Sequence, residues 1–511
     1  MVLVLAGRVA PCDPNDPDAV FKGRVFLNDT GSIEHIAKGA GGAPAGFANA
    51  PVIDLGNDFI LPGLIDLHNH IGYNTLPLWA EPTRTTPYAH HDSWPNAPSY
   101  QASITWPSKA LAATEPEALL AYVQLRALVG GTTAMQGWPT ANRQHVQVLR
   151  NIDDETAGGT SRDLIYTSTL TLKPLELAKR AQAQRNGAGF IYHCGEGAVG
   201  SLVKREFVDS ANAGCLTQTF IGIHCNSLAE ADWTRWPQAE AGAVVWSPFS
   251  NLWLYGSTTN IKAARRQGVA ICIGSDWGPS GTKNILGEIK VAKLVSERDG
   301  LGLSDRDLVA MMTSNPGDVL TRCWKRAIGR LVKGAFADIT VIKSAGDKPV
   351  WTQVIEATEA DIALVVIDGL ARYGNPSLMQ KAGRPSAKFR LAGKDRRFAI
   401  ANPDAPDKPW KWEEFTKLLK AVIADPKTAL TRAEARLRAY AGPLDSPNAP
   451  LLLALDMPTG GGAFAGNIRD HADKVVIPPL SSLVHDKKFF ADITGRGFHG
   501  GLLDGLAEFY R

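Results

Sequence analysis

Apolar and polar positions along the chain change their period several times. Up to about residue 60 they form short runs at 2–5, 24–27 and 33–36, separated by Pro14-Asn15-Asp16-Pro17 and by the Gly/Ala-rich residues 39–49. These runs predict strands. They hold too few apolar residues for a core of their own, so the segment needs a partner elsewhere in the chain. From 59 to about 325, short apolar runs alternate with helical periods. Strands are expected to end at His68, Met135, Leu172, His193, His224, Trp246 and Asp276, and helices to cover 116–129, 145–152 and 175–184. Such alternation predicts a parallel sheet, and its length fits a TIM-like (β/α)8 barrel. A doubly wound open sheet is the alternative, although no G-x-G-x-x-G follows a strand.

Residues 328–374 return to short strands at 329–331, 337–342 and 362–367. Their expected partners are the N-terminal strands, giving a small β-sandwich domain into which the barrel is inserted. The expected division is 1–60 and 328–375 for the two halves of that domain, 61–327 for the barrel, and 376–511 for a mainly α C-terminal extension. Within the extension, 410–423 and 431–440 read as helices, 402–409 as a linker and Gly460-Gly461-Gly462 as a loop. No motif there suggests a function.

Chemistry enters at His68-Asn69-His70. Alternate side chains of an extended strand share a face, so two imidazoles two residues apart can turn into one cavity and hold one metal ion. His193, His224 and Asp276 each close a further predicted strand. In a parallel barrel all strand C-termini open on one face, where active sites are built. The four histidines and the aspartate therefore converge on one mouth. His35, His471 and His499 have no such placement and receive no role.

The net charge of +3 on 511 residues gives no argument for nucleic-acid or membrane partners, so the expected partner is a small-molecule substrate, with self-association left open. The six cysteines form no C-x-x-C pair, and residues 1–8 lack the basic start of a signal peptide; both favour a cytoplasmic address.

The ordered motifs resemble the amidohydrolase superfamily. Leu61-Pro62-Gly63-Leu64-Ile65-Asp66-Leu67-His68-Asn69-His70 looks like its opening metal motif, and Gly131-Thr132-Thr133 like its second-strand signature. His193-Cys194-Gly195-Glu196 and Ser247-Pro248-Phe249-Ser250-Asn251 resemble the branch of cytosine deaminases, guanine deaminases and chlorohydrolases; Gly274-Ser275-Asp276 and Thr313-Ser314-Asn315-Pro316 complete the series. The resemblance implies that His68, His70, His193 and Asp276 ligate one divalent metal, Zn²⁺ or alternatively Fe²⁺. It implies that His224 polarises the substrate and Glu196 shuttles protons, with hydroxide formed at the metal attacking an sp² carbon.

Lys173 is the candidate for the carboxylated lysine of binuclear members, weighed against a plain surface lysine. Tyr73, Trp79, His90, His91, Trp94, Asn251 and Trp277 lie on predicted strand-end loops and are expected to line a pocket for a flat, partly apolar substrate. Ser280 and Lys283 follow Asp276 and are candidates for a polar substituent. The expected reaction is hydrolytic deamination or amide hydrolysis of a non-peptide C–N bond. Urea or carbamate hydrolysis, dechlorination, a non-hydrolytic isomerase or decarboxylase, and a silent scaffold barrel are the alternatives.

Overall fold

A computed structural model describes residues 2–153, 164–169, 171–237, 241–455 and 486–511. Gly460-Gly461-Gly462 and His471 lie outside the described residues. The N-terminal strands do find their partner across the chain. One nine-stranded sheet runs in the order Ala387–Leu391, Lys394–Phe398, Leu370–Gly374, Ile362–Ile367, Ile339–Ile342, Val52–Pro62, Leu3–Val9, Phe21–Leu27, Ile33–Lys38. The two flanks meet where Ile339–Ile342 pairs antiparallel with the end of Val52–Pro62, Thr340 opposite Leu61. Two strands that the pattern does not predict, Ala387–Leu391 and Lys394–Phe398, lie in the segment assigned to the C-terminal extension and belong to this sheet, so its edge lies beyond residue 375. Residues 329–331 form no strand: Leu331 bonds Pro11 O at 3.0 Å, and Arg330 turns to Asp318 at 2.7 Å.

The chain leaves this sheet at Gly63, where a Cβ would stand 2.1 Å from Thr133 Oγ1, so only glycine allows the close approach. Leu64–Asp66 then pairs in parallel with Thr132–Met135, which pairs with Arg150–Asn151. A second parallel sheet runs Ala270–Ile273, Ala243–Trp246, Phe220–His224, Gly189–Cys194, Ile165–Ser168. Backbone bonds join the two: Leu67 N to Ile273 O (3.4 Å), Asp276 N to His68 O (3.0 Å) and His70 N to Asp276 O (2.7 Å). Ile65, Leu67, Ile191, Ile221, Ile223 and Val245 form a buried cluster closed from below by Val319, Leu320 and Trp324 of the helix Ser314–Trp324.

The helices Pro116–Val129 and Pro174–Arg185 form as the pattern predicts. Residues 145–152 do not form a helix. Gln124 bonds Val146 O (3.2 Å) and Val148 N (2.7 Å), so its side chain takes up backbone groups that a helix would have paired, and Arg150–Asn151 becomes a strand. Residues 402–409 are a hairpin rather than a linker, Ala401–Asn402 against Ala405–Pro409, with Asn402 Oδ1 accepting from Asp404 N across the turn at 2.9 Å. The extension helices are Trp412–Ala424 and Pro426–Ala439; the second starts earlier than expected because Asp425 caps it through Thr428 N. Together they pack against the helices Trp106–Thr114 and Pro116–Val129, with Tyr122 and Trp412 rings 5.9 Å apart. Among the described residues no helix is long and apolar enough to cross a membrane.

Arg150 ties the parallel strands to the nine-stranded sheet. Its guanidinium grips Asp338 in two bonds of 2.8 and 3.0 Å, also bonds Asp368, and lies 3.7 Å over the Phe336 ring. Arg150→Ala strands a buried carboxylate, which costs roughly 3 kcal/mol or more. The expected result is a clearly lower midpoint of urea unfolding; an unchanged midpoint would show that the pair holds nothing together.

Candidate metal centre

The register bonds between 66–70 and 273–276 place the first histidine pair against the last strand's acid. His68 Nε2 lies 3.3 Å and His70 Nε2 3.7 Å from Asp276 Oδ1. His193 Nε2 is 3.3 Å from His70 Nε2. The His224 ring centroid is 5.0 Å from that of His68. Two overlapping groups, His68–His70–Asp276 and His68–His193–His224, keep their ligand atoms within 4.8 Å of one another. All five residues are buried.

His193 faces the interior by strand parity, since Ile191 two positions earlier belongs to the interior cluster. His224 does not follow parity: Ile221 and Ile223 face inward, so a regular strand would turn residue 224 away. A left-handed backbone at His224 (φ 64°), followed by Cys225 (φ 53°), swings it back. Asp276 is also left-handed (φ 60°). Such conformations cost about 1–3 kcal/mol each and persist where the surroundings over-determine them. Here Cys225 N bonds both Ile223 O and Cys194 O, and Thr259 Oγ1 bonds His224 O at 2.6 Å.

Hydrogen bonds behind the rings distinguish the imidazoles. Asp153 accepts from Gln136 Nε2 (3.1 Å), so Gln136 presents its oxygen to His68 Nδ1 at 3.2 Å. His193 Nδ1 faces Ser168 O at 3.3 Å. Both rings therefore carry a proton on Nδ1 and turn Nε2 toward the centre, where His193 Nε2 meets His70 Nε2 and His68 Nε2 faces Asp276 Oδ1. His68 Nε2 is buried with no hydrogen-bond partner, the condition of an atom shaped to meet a cation. His224 is the reverse. Trp246 Nε1, which can only donate, bonds Thr258 Oγ1 (2.7 Å); Thr258 donates to Asn251 Oδ1 (3.2 Å); Asn251 Nδ2 then donates to His224 Nδ1 (3.2 Å). A neutral His224 thus keeps its proton on Nε2, 3.7 Å from Glu196 Oε2.

Burial, reinforced by the neighbouring imidazoles, holds His193 well below the ordinary histidine range; burial does the same for His224 against the pull of Asp276. Neutral imidazole is the form that binds metal. At Asp276, burial would raise the pKa, but the adjacent His68, with His224 and His70, holds it below the usual carboxylate range. Glu196 is shifted up, by burial first and then by Asp276, against the opposing charge of His91. Three imidazole nitrogens and one carboxylate suit a divalent ion.

Of the expected pocket residues, Tyr73 and Trp277 adjoin the centre. Their rings are 5.4 Å apart, and Trp277 is 5.9 Å from His70. Trp94 packs on Trp277 at 5.8 Å and bonds Tyr255. Trp79 packs on Tyr88 and Tyr100 in the rim. His91 bonds Glu206 at 3.3 Å and, through its backbone, Glu196 O at 3.1 Å, while His90 lies 3.6 Å from Asp92. Asn251 stands behind His224 rather than in front of it. Ser280 bonds Ser250 and Trp277, and Lys283 bonds Asp486. Lys173 is exposed ahead of the helix Pro174–Arg185, its backbone N bonded to Glu176 at 2.9 Å, as the surface-lysine reading expects. His35 leans on Phe26, and His499 stacks on Trp253. Tyr255, Gln136 and Asp153 were not anticipated. Nothing in their local sequence marks them, because each acts through a partner distant in the chain.

The chain belongs to the amidohydrolase family, whose model matches residues 59–384. It is a hydrolase acting on carbon–nitrogen bonds other than peptide bonds. A 5-methylthioadenosine/S-adenosylhomocysteine deaminase of Moorella thermoacetica is 24% identical over 370 residues, covering 64% of this chain and 83% of the relative. The crystal structure of guanine deaminase from C. acetobutylicum with bound guanine superposes with a TM-score of 0.54 at 14% identity, over 73% of this chain and 100% of that one. Atrazine chlorohydrolase from Arthrobacter aurescens, complexed with zinc, superposes with a TM-score of 0.53 at 15% identity, over 72% of this chain and 94% of that one.

Two substitutions probe the geometry. Gly137 has φ 91°, and a Cβ there would sit 1.4 Å from Asn69 O, between the two histidines of the first strand. Gly137→Ala should abolish metal uptake or soluble expression; a normally folded variant with full metal content would contradict this packing. Glu288, buried under the start of the helix Pro248–Tyr255, accepts from Phe249 N and Thr282 Oγ1, and burial pushes it up to about 8 from 4.5. A raised carboxyl favours folding in its protonated form. Its contribution is complete below 4.5 and is lost as pH rises through about 8. The stability of the wild type relative to Glu288→Gln should fall across that window, and parallel pH curves would contradict it.

Proposed function

We propose that the chain is a mononuclear metal-dependent deaminase of small, flat heterocycles, built on a closed (β/α)8 barrel with the nine-stranded sheet as its β domain. The observation that carries this is the proton placement: His68 and His193 are protonated on Nδ1 and turn Nε2 toward the centre, while His224 offers an N–H. On this reading His68, His70, His193 and Asp276 hold one divalent ion, Zn²⁺ with Fe²⁺ as the alternative, and Lys173 supports no second one. Lewis acidity toward water at neutral pH is what such an ion supplies when bound there.

The chain's own groups complete the chemistry. Ionised Asp276 accepts the proton of the attacking water. The Nε2–H of His224 donates to the reacting centre as the sp² carbon becomes tetrahedral. Glu196, raised by burial, delivers a proton to the departing nitrogen, which could not leave as an amide anion. Tyr73 and Trp277 supply aromatic faces beside His70 for a planar ring. The named deaminases among the relatives support the direction of the reaction. The six cysteines, all free and buried, support a cytoplasmic address.

The test is ammonia release across a panel of aminated heterocycles, amides and ureas. Ammonia from at least one aminated heterocycle is expected. Turnover confined to amides or ureas would overturn the deaminase reading. Asp276→Asn should fold normally and lose turnover. Glu196→Gln should cost about 10²–10⁴-fold in kcat at constant metal content; loss of metal would instead make Glu196 a ligand.

A further inference from the structure

The helix Pro248–Tyr255 is short and wholly buried. Successive helical residues turn by about 100°, so positions four apart share a face and positions two apart lie nearly opposite. Asn251 and Tyr255 share the face toward the site. Phe249 and Trp253 share the other, which the C-terminal segment covers: Phe489 stacks on Phe249 at 6.1 Å, and His499 stacks on Trp253 at 6.2 Å with planes 7° apart. Gly497 lies so close to Trp253 that a Cβ would stand 2.6 Å from the ring. Trp253 Nε1 also bonds Trp79 O at 2.7 Å. The helix is clamped from behind.

On the site face, Tyr255 OH lies 2.7 Å from Glu196 Oε1, and Trp94 Nε1 lies 3.1 Å from the same phenol oxygen. An indole N–H only donates, so the phenol oxygen accepts from Trp94 and its single proton is free to point at Glu196. Glu196 Oε1 is thereby engaged, and Oε2 is the oxygen left facing His224 at 3.7 Å. Tyr255, Trp94 and Glu196 are all buried, so bulk water does not substitute for the missing partner if one is removed.

We propose that Tyr255, oriented by Trp94 and held on the clamped helix, is a positioning residue for proton transfer: it fixes one oxygen of Glu196 so that the other carries the proton toward the substrate. This rests on the reading of Glu196 as the proton-transfer group. Removing the phenol hydroxyl leaves the carboxyl free to rotate, which lowers the fraction of turnovers with Oε2 correctly aimed without changing how substrate binds.

The experiment is a double-mutant cycle of Tyr255→Phe and Glu196→Gln, measured on the panel substrate with the fastest ammonia release, with metal content and circular dichroism recorded for each variant. Tyr255→Phe is expected to lower kcat by about 10-fold or more with KM within about 3-fold and metal unchanged. In the Glu196→Gln background it should cost less than about 2-fold, because the residue it acts through is gone. Trp94→Phe provides an independent arm if Tyr255→Phe folds poorly: a smaller kcat loss, again absent with Glu196→Gln. An equal loss in both backgrounds, a loss confined to KM, or no loss from either variant would overturn the proposal. Near-normal kcat in Glu196→Gln alone would instead overturn the role given to Glu196.

Discussion

The site depends on one piece of backbone pairing. Asp276 N bonds His68 O, and His70 N bonds Asp276 O, so the last-strand carboxylate is locked between the two histidines of the first strand. A one-residue slip would turn the alternating side chains to the wrong face. Several buried features protect this register. Asp66 accepts from Ser275 N and Ser275 Oγ beneath the lock, and Asn69 bonds both Asp66 and Ser275. Gly274 stands where a Cβ would be 2.6 Å from His68 Cβ. Asp66, Asn69, Gly274 and Ser275 thus hold the backbone on which His68, His70 and Asp276 converge.

Two hydrogen-bond chains then set protons around that centre, and both begin at an indole. Trp246 starts the chain through Thr258 and Asn251 to His224. Trp94 starts the chain through Tyr255 to Glu196. A donor that cannot accept gives each chain a direction. Asn251 and Tyr255 sit on the same face of one short helix, which makes that helix the element linking the imidazole to the carboxyl. Phe489, Gly497 and His499 of the C-terminal residues press on its far side, so the extension packs on the helix that carries Asn251 and Tyr255.

The sequence made the convergence of His68, His70, His193, His224 and Asp276 legible because residue type and strand periodicity mark the same positions. It also made the shared β sheet legible, since the first 60 residues could not bury themselves. What it hid was tertiary. Residues 145–152 look helical until Gln124 takes up their backbone groups. Asn251 reads as a loop residue near substrate, yet its amide is spent on His224. His224 itself is turned inward by a left-handed backbone that no residue type announces. Tyr255 lies 59 positions from Glu196 in sequence, and only folding brings the pair together.

The measurement that bears most directly on the centre is anomalous scattering from a crystal of the protein at the absorption edge of its bound metal. A single peak among His68, His70, His193 and Asp276, with His224 outside the coordination shell and nothing at Lys173, is the predicted result. A chain without a metal peak there, or one in which His224 replaces His193 as a ligand, would contradict the proton placement on which the account is built.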